Sequence, residues 1–401
     1  MSNNTLMILG GTRYAFPVIE AARALGCRVV TCDYLPGNPA HKLADEYRNV
    51  SITDREAVAE VAQDVGASGI VSFAADPGVI AASFVAEKMG LPFQGSYETT
   101  RILQTKSLFR AFLRDNGFNC PWFVHVDSHS EAAALAGDLV YPAIVKPVDS
   151  AGSKGVSRVD QAADLAGAVT HALRFSPSGG CIIEEFLEKK WLAGGEAFTV
   201  NGTFSCVSFC SQMFHEEADN PYVPAAYILP GDFPADAQQY LIGELQRLAD
   251  LLELRSGPYS IDVRVAPDGT PYIMELAPRG SGNRLGEFLR KASGVDLIRA
   301  TVEAALGLPV VDVHQPEYNE VWFQQLLTSD AAGRYEGLWF DPAFKQQHVR
   351  DVSPWIEAGT QVGAFTGANF AFGSVFMRFD NDAQLQDYLA NSDRLMRVLV
   401  K

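Results

Sequence analysis

Asp262 and Glu275 lie on two apolar runs, Ser260-Ile-Asp-Val-Arg-Val265 and Tyr272-Ile-Met-Glu-Leu-Ala277, that flank Pro267-Asp-Gly269, and Arg279 follows the second run. The Pro-Asp-Gly segment predicts a turn that folds the runs into a hairpin, so two acids thirteen positions apart converge from adjacent strands. Paired carboxylates followed by an arginine suit a divalent metal carrying a polyphosphate. Read alone, the segment is equally an ordinary hairpin with two solvated acids.

Two further stretches carry groups of the right kind. Pro142-Ala-Ile-Val-Lys146 is an apolar strand ending in a lysine, followed by a loop of small residues with Gly152 and Gly155 and a returning strand from Val156 to Val159. A lysine at a strand end beside a flexible glycine-rich loop makes a phosphate cradle, although the spacing is not that of a Walker loop. Cys181-Ile-Ile-Glu184-Glu185-Phe186-Leu187 is an apolar strand that passes into acidic and apolar residues. Such a crossing presents one acid and two backbone groups to a purine edge; the competing reading is an edge strand with solvated glutamates.

The elements that must position these residues begin with an alternation of strand and helix. Leu6 to Leu9 runs into Gly10-Gly11-Thr12, Pro17 to Leu25 is helical, and Cys27 to Cys32 ends at Asp33. Thr53-Asp-Arg-Glu56 reads as a capping box opening a helix to about Val65. Ile70 to Phe73 is the next strand, followed by Ala74-Ala-Asp76-Pro-Gly78 and a helix to about Met89. The alternation predicts a doubly wound parallel sheet. The glycines after the first strand do not match G-x-G-x-x-G, which argues against a nicotinamide dinucleotide; a glycine loop at a helix start still suits a phosphate or carboxylate.

Composition narrows the class. The 401 residues allow two to four domains. The formal charge of −16, from 32 basic and 48 acidic residues, disfavours a general nucleic-acid binder, so an anionic substrate needs a local basic site. No run approaches a membrane span, and no signal-peptide pattern opens the chain. The six cysteines are scattered, which reads as free thiols in a reducing cytoplasm. Of the seven histidines, His215 draws notice because it begins a polar and aromatic loop running to Tyr227.

Taken in order, Lys106, Lys146 with its glycine loop, Glu184 to Leu187, Asp262, Glu275 and Arg279 resemble the ATP-grasp superfamily. The likeness is to its carboxylate-amine ligases, the relatives of carbamoyl-phosphate synthetase, biotin carboxylase, the purine-pathway members and the L-amino-acid ligases. It covers about residues 5 to 310 in element order. The resemblance implies an α/β chain with an N-terminal parallel sheet (1–120), a lid subdomain (121–200), a metal-binding subdomain (201–310) and a small C-terminal α/β domain (311–401). It implies that Lys106 and Lys146 contact ATP phosphates, that loop 149 to 155 with Ser153 covers them, and that Glu184 accepts from the adenine amino group. Phe186 and Leu187 would supply hinge backbone and apolar contact, and Glu196, with Glu188 as the alternative, would hold the ribose.

Asp262 and Glu275 match the family's magnesium ligands, with manganese as a substitute. The usual Glu-x-Asn is Glu275-Leu-Ala277 here, so one oxygen ligand is missing and water, phosphates or Asn283 must complete the shell. Arg279 suits holding a substrate carboxylate and stabilising oxyanion charge. The expected reaction joins a small carboxylic acid to an amine through an acyl phosphate. The alternatives are a carbamoyl-phosphate or purine-pathway type synthase, or a nucleotide-binding regulatory protein that has lost catalysis. The substrate pocket is expected near Gly11, Thr12, Asp76, Arg264 and Arg279, and residues 311–401 suit packing, dimerisation or closure of the site.

Overall fold

The computed structural model describes residues 4–188, 190–214, 221–365, 367 and 370–401; His215 and the start of its loop lie outside them. The chain forms two compact units, each built from separated stretches. One comprises Met1–Cys120, Glu188–Ser208 and Phe233–Pro316; the other comprises Pro121–Leu187, Phe209–Asp232 and Glu317–Lys401.

In the first unit, Glu46–Arg48, Arg28–Cys32, Thr5–Leu9 and Gly69–Ser72 lie in that order as a parallel sheet. Leu6, Met7, Ile8 and Leu9 are fully buried because helices cover both faces of the sheet, which is why the strand is apolar without alternation. Met7 and Leu9 pack against Val58 and Ala62 of helix Arg55–Asp64 and against Ala81 and Val85 of helix Asp76–Met89. Leu6 and Ile8 pack against Val18 and Ile19 of helix Phe16–Ala24 and against Ile298 and Val302 of helix Leu297–Ala305. The loops leaving Leu9 and Ser72 therefore open at the carboxyl edge of the sheet, the usual ligand-binding edge of this architecture.

The same unit holds an antiparallel sheet in the order Pro271–Ala277, Gly257–Val265, Trp191–Val200. Residues 188–200, expected with the lid, belong to the first unit because Trp191–Val200 pairs along its length with Gly257–Val265. The turn between the hairpin strands forms as its residues predict. Gly269 takes φ 90°, and the Asp268 carboxylate accepts from the Thr270 amide at 2.9 Å.

In the second unit, Phe123–Val126, Cys181–Glu185, Ala143–Pro147 and Ser157–Val159 form an antiparallel sheet in that order. Helices His129–Leu135 and Leu165–Leu173 bury one face of it through Ala132, Leu165 and Val169. Its remaining part includes antiparallel pairings of Pro224–Leu229 with Val321–Leu326, of that strand with Gly373–Phe379, and of the latter with Val349–Pro354. The last helix runs from Asp382 to Leu395 and goes no further. Met396–Val400 is instead a strand on Gly333–Phe340, its alternating burial matching the pleat.

The capping box also differs from expectation. Asp54, not Thr53, is the N-cap of helix Arg55–Asp64 and accepts from the Ala57 amide at 3.2 Å, while the Thr53 hydroxyl pairs with that of Ser51 at 2.9 Å. Asp54→Ala is expected to lower unfolding stability by about 1 kcal/mol and Thr53→Ala by much less, measured by denaturant titration.

Candidate active site

In the first unit the candidate residues gather on one face of the hairpin sheet and on the loops beside it. Asp262 and Glu275 are direct cross-strand partners; Ser260 stands opposite Glu196 on one side and Ala277 on the other. Directly paired residues share a face, so Glu196, Ser260, Asp262 and Glu275 project to the same side. A bulge between Asp262 and Val263 locally re-aims the strand. Asp262 is exposed and Glu275 half-buried.

This donor set fits magnesium. Two hard carboxylate oxygens on one face, one of them in water, match an ion that usually keeps several waters and phosphate oxygens. Ala277, 1% exposed, brings no oxygen. Asn283, the expected substitute, has its side-chain oxygen accepting from the Tyr14 hydroxyl at 3.1 Å. Among the described residues no group of three or more acidic, histidine or cysteine side chains could hold a metal.

Arg279 leaves the hairpin and turns toward the parallel sheet. Its Nε and Nη2 donate to the two carboxylate oxygens of Asp76 at 2.7 and 2.8 Å, and its Nη1 donates to the Gly280 carbonyl at 3.2 Å. The loops carrying the two partners touch directly. The Ala74 amide donates to the Gly280 carbonyl at 3.2 Å, and a Cβ on Gly280 would lie 2.3 Å from the Phe73 ring. Burial works against the Arg279 charge, yet Asp76, Glu275 and Glu196 override it and raise its pKa. Burial alone would also push the Asp76 carboxyl up, but Arg279 and Lys106 hold it below its ordinary value.

Lys106 opens helix Lys106–Asp115 and is half-buried. Arg110 of that helix donates to the Met274 carbonyl at 2.9 Å, fixing the helix against the strand that carries Glu275.

Glu196 is not where a ribose ligand is expected. It is 3% exposed, and its carboxylate accepts from the Ser281 amide at 2.9 Å, while the Ser281 hydroxyl donates to Ser260 at 2.8 Å. Burial pushes its pKa up to about 7 against the pull of Ser281 and Arg279. The other ribose candidate, Glu188, is exposed. The glycine loop is likewise occupied by the protein itself. The Gly11 amide donates to Asp33 at 2.9 Å, and Asp33 also accepts from Leu35 and Asn38, so the acid after the second strand holds its own loop.

In the second unit Lys146 and Glu184 form an ion pair, with Glu184 only 1% exposed. The residues expected to meet phosphate and adenine are thus bonded to each other. Ile144 stands opposite Glu184 in the sheet, which puts Lys146 on the same face two residues along. The Phe186 amide, expected to serve the hinge, donates to the Pro142 carbonyl at 3.2 Å, and the Arg158 guanidinium lies 4.4 Å from the Phe186 ring centre. Leu187 is buried. In the glycine-rich loop, Ser153 takes φ 57° and its hydroxyl donates to the Tyr222 carbonyl at 3.0 Å. Asp149 anchors the loop base by accepting from the Ser176 hydroxyl at 2.6 Å and the Ser178 amide at 2.9 Å.

The chain is similar to known proteins. Residues 139–287 match the ATP-grasp domain family. The chain is 26% identical over 316 residues to a formate-dependent phosphoribosylglycinamide formyltransferase of Synechococcus sp., covering 76% of each chain. An L-amino acid ligase from Bacillus licheniformis superposes with a TM-score of 0.81 at 20% identity, covering 100% of this chain and 99% of that one. The biotin carboxylase domain of a Hydrogenobacter thermophilus 2-oxoglutarate carboxylase, solved with MgADP and bicarbonate, gives 0.76 at 14% identity, covering 99% and 91%. Residues 139–287 carry an ATP-grasp domain, and the chain along its length is similar in fold to ATP-dependent ligases.

Sequence reasoning missed Ser281 and Tyr14, the partners that tie Glu196 and Asn283 into the structure; only the small-residue run Gly280-Ser-Gly282 hinted that backbone there is held closely. No helix of the described residues is long and apolar enough to cross a membrane.

The Glu196 carboxyl generates a pH prediction. Its folded pKa lies above the ordinary 4.5, so the native state binds the proton more tightly, and stability falls as pH rises from about 4.5 to about 7. The loss is on the order of 3 kcal/mol at 1.36 kcal/mol per unit. Glu196→Gln is expected to flatten this part of the curve in chemical denaturation between pH 5 and 8; an unchanged slope would contradict the assignment.

Proposed function

We propose that the protein activates a small carboxylic acid as its acyl phosphate at the expense of ATP and couples it to an amine, releasing ADP and phosphate. The observation that carries this reading is the shared face of Asp262 and Glu275 followed by the largely buried Arg279. A carboxylate is a poor electrophile until one oxygen becomes a leaving group, and it repels ATP. Transfer of the γ-phosphoryl group meets the first need, and fixed cations meet the second.

In this reading the Lys146 ammonium, carried by the strand that enters the glycine-rich loop, binds phosphate. Loop 149 to 155 with Ser153 covers the nucleotide and excludes water, to which an acyl phosphate is labile. Glu184 and the 186–187 backbone face adenine. We give the ribose to Glu188, because it is exposed and Glu196 is buried. Lys106 adds positive charge beside Asp76. Magnesium held by Asp262 and Glu275 would supply neutralisation of phosphate charge when bound.

Arg279 orients the acid and stabilises negative charge on its acyl oxygen. A substrate carboxylate oxygen displaces ADP from the γ-phosphorus; the amine nitrogen then attacks the acyl carbon, phosphate leaves, and the surplus amine proton passes to solvent.

The formyltransferase likeness over three quarters of the chain supports a second reading, in which the acid is formate and the amine phosphoribosylglycinamide. Phosphate release from MgATP across a matrix of acids and amines, with that pair included, separates the two. Release that requires both an acid and an amine is expected. Release with bicarbonate alone would favour a carboxylating synthase, and none with any pair would favour a binding protein. Glu275→Gln and Asp262→Asn are each expected to lower turnover by at least about a hundredfold, measured as initial phosphate release, with little change in melting temperature.

A further inference from the structure

A guanidinium has five N–H donors. In Arg279 three are engaged, two by Asp76 and one by the Gly280 carbonyl, which leaves two. Asp76 is also placed by its own backbone. It is the first residue of helix Asp76–Met89, with Pro77 next, and the loop before it is set by Ala74, at φ 53° and bonded to Gly280.

We infer that Asp76 is a positioning residue that closes one edge of Arg279 and leaves its two remaining N–H groups as a receptor for a single oxyanion. The role of that receptor, to take the oxygen of the acid being activated, rests on the ligase reading above. Paired with Asp76, Arg279 carries no net charge into the site. It does not grip every anion in the ground state and instead acts on charge that develops at the acyl oxygen, the kind of interaction that raises turnover more than it tightens substrate binding. Lys106 stands in the same field and helps keep Asp76 ionised. Neither residue is a neighbour of the other in sequence, and no motif joins them.

Asp76→Asn and Asp76→Glu separate positioning from simple charge. The full chain is labelled without ligand by phenylglyoxal, which attacks guanidinium groups as they deprotonate, and the rate at Arg279 is read by peptide mass spectrometry beside that of buried Arg110. In the wild type Arg279 is expected to resist the reagent from pH 7 to 9. In Asp76→Asn its rate should rise about tenfold, the effect of one pKa unit, and climb with pH, while Arg110 stays unchanged. Asp76→Glu should retain most of the protection, which keeps the inference testable where the asparagine variant fails to fold.

Equal Arg279 rates in all three proteins would overturn the inference, as would parallel rises at Arg279 and Arg110, which mark general loosening. The labelling needs no turnover. Protection of Arg279 with no activity for any acid and amine would remove the ligase reading alone; a reactive wild-type Arg279 would remove the positioning role whatever is turned over.

Discussion

The guanidinium of Arg279 lies where little water reaches, and a buried cation survives there only because Asp76 meets it with two parallel hydrogen bonds. Removing one partner from such a pair typically costs about 3–5 kcal/mol. The loops at the carboxyl edge of the parallel sheet and at the end of the hairpin are shaped around this contact. Gly280 leaves room for the Phe73 ring, Ala74 adopts a left-handed conformation, and the Ala74 amide closes the gap through the Gly280 carbonyl.

From that pair the charge of the first unit can be followed outward. Lys106 bears on Asp76, while Glu275 and Glu196 bear on Arg279. Glu275 faces Asp262 on the exposed side of the hairpin, where a hydrated cation and phosphate can be accommodated. Glu196 projects to the same side but is covered there, and its carboxylate holds Ser281 and so the chain just beyond Arg279. Acids of the same type thus serve different ends according to burial. The pair of Asp262, exposed, and Glu275, half-buried, suits a metal, and the buried Glu196 holds the turn that presents the arginine. In the second unit the Lys146 and Glu184 pair is built on a sheet face in the same way, so neither lysine expected at phosphate stands without a carboxylate nearby.

What the sequence made legible was local in origin. The turn residues Pro267 to Gly269 and the strands beside them dictate that Asp262 meets Glu275, and the fully apolar Leu6 to Leu9 requires a sheet covered on both faces. Long-range choices were hidden. Asp76 and Arg279 are 203 positions apart, and nothing in either segment names the other. The depth of Glu196 depends on which helix lies over its strand, and spacing does not encode that. Met396–Val400 follows helix Asp382–Leu395 with no glycine or proline to stop it, yet pairing with Gly333–Phe340 decides its state. Thr53 and Asp54 are both competent caps, and the carboxylate takes the position.

The central claim is that a carboxylate oxygen becomes part of the phosphate that is released. It is tested most directly with an acid labelled with oxygen-18 in both carboxylate oxygens, incubated with MgATP, the amine that supports turnover and the enzyme, followed by mass analysis of phosphate. One labelled oxygen per phosphate, with ADP as the other nucleotide product, is the predicted result. Unlabelled phosphate, or AMP bearing the label, would contradict activation through an acyl phosphate.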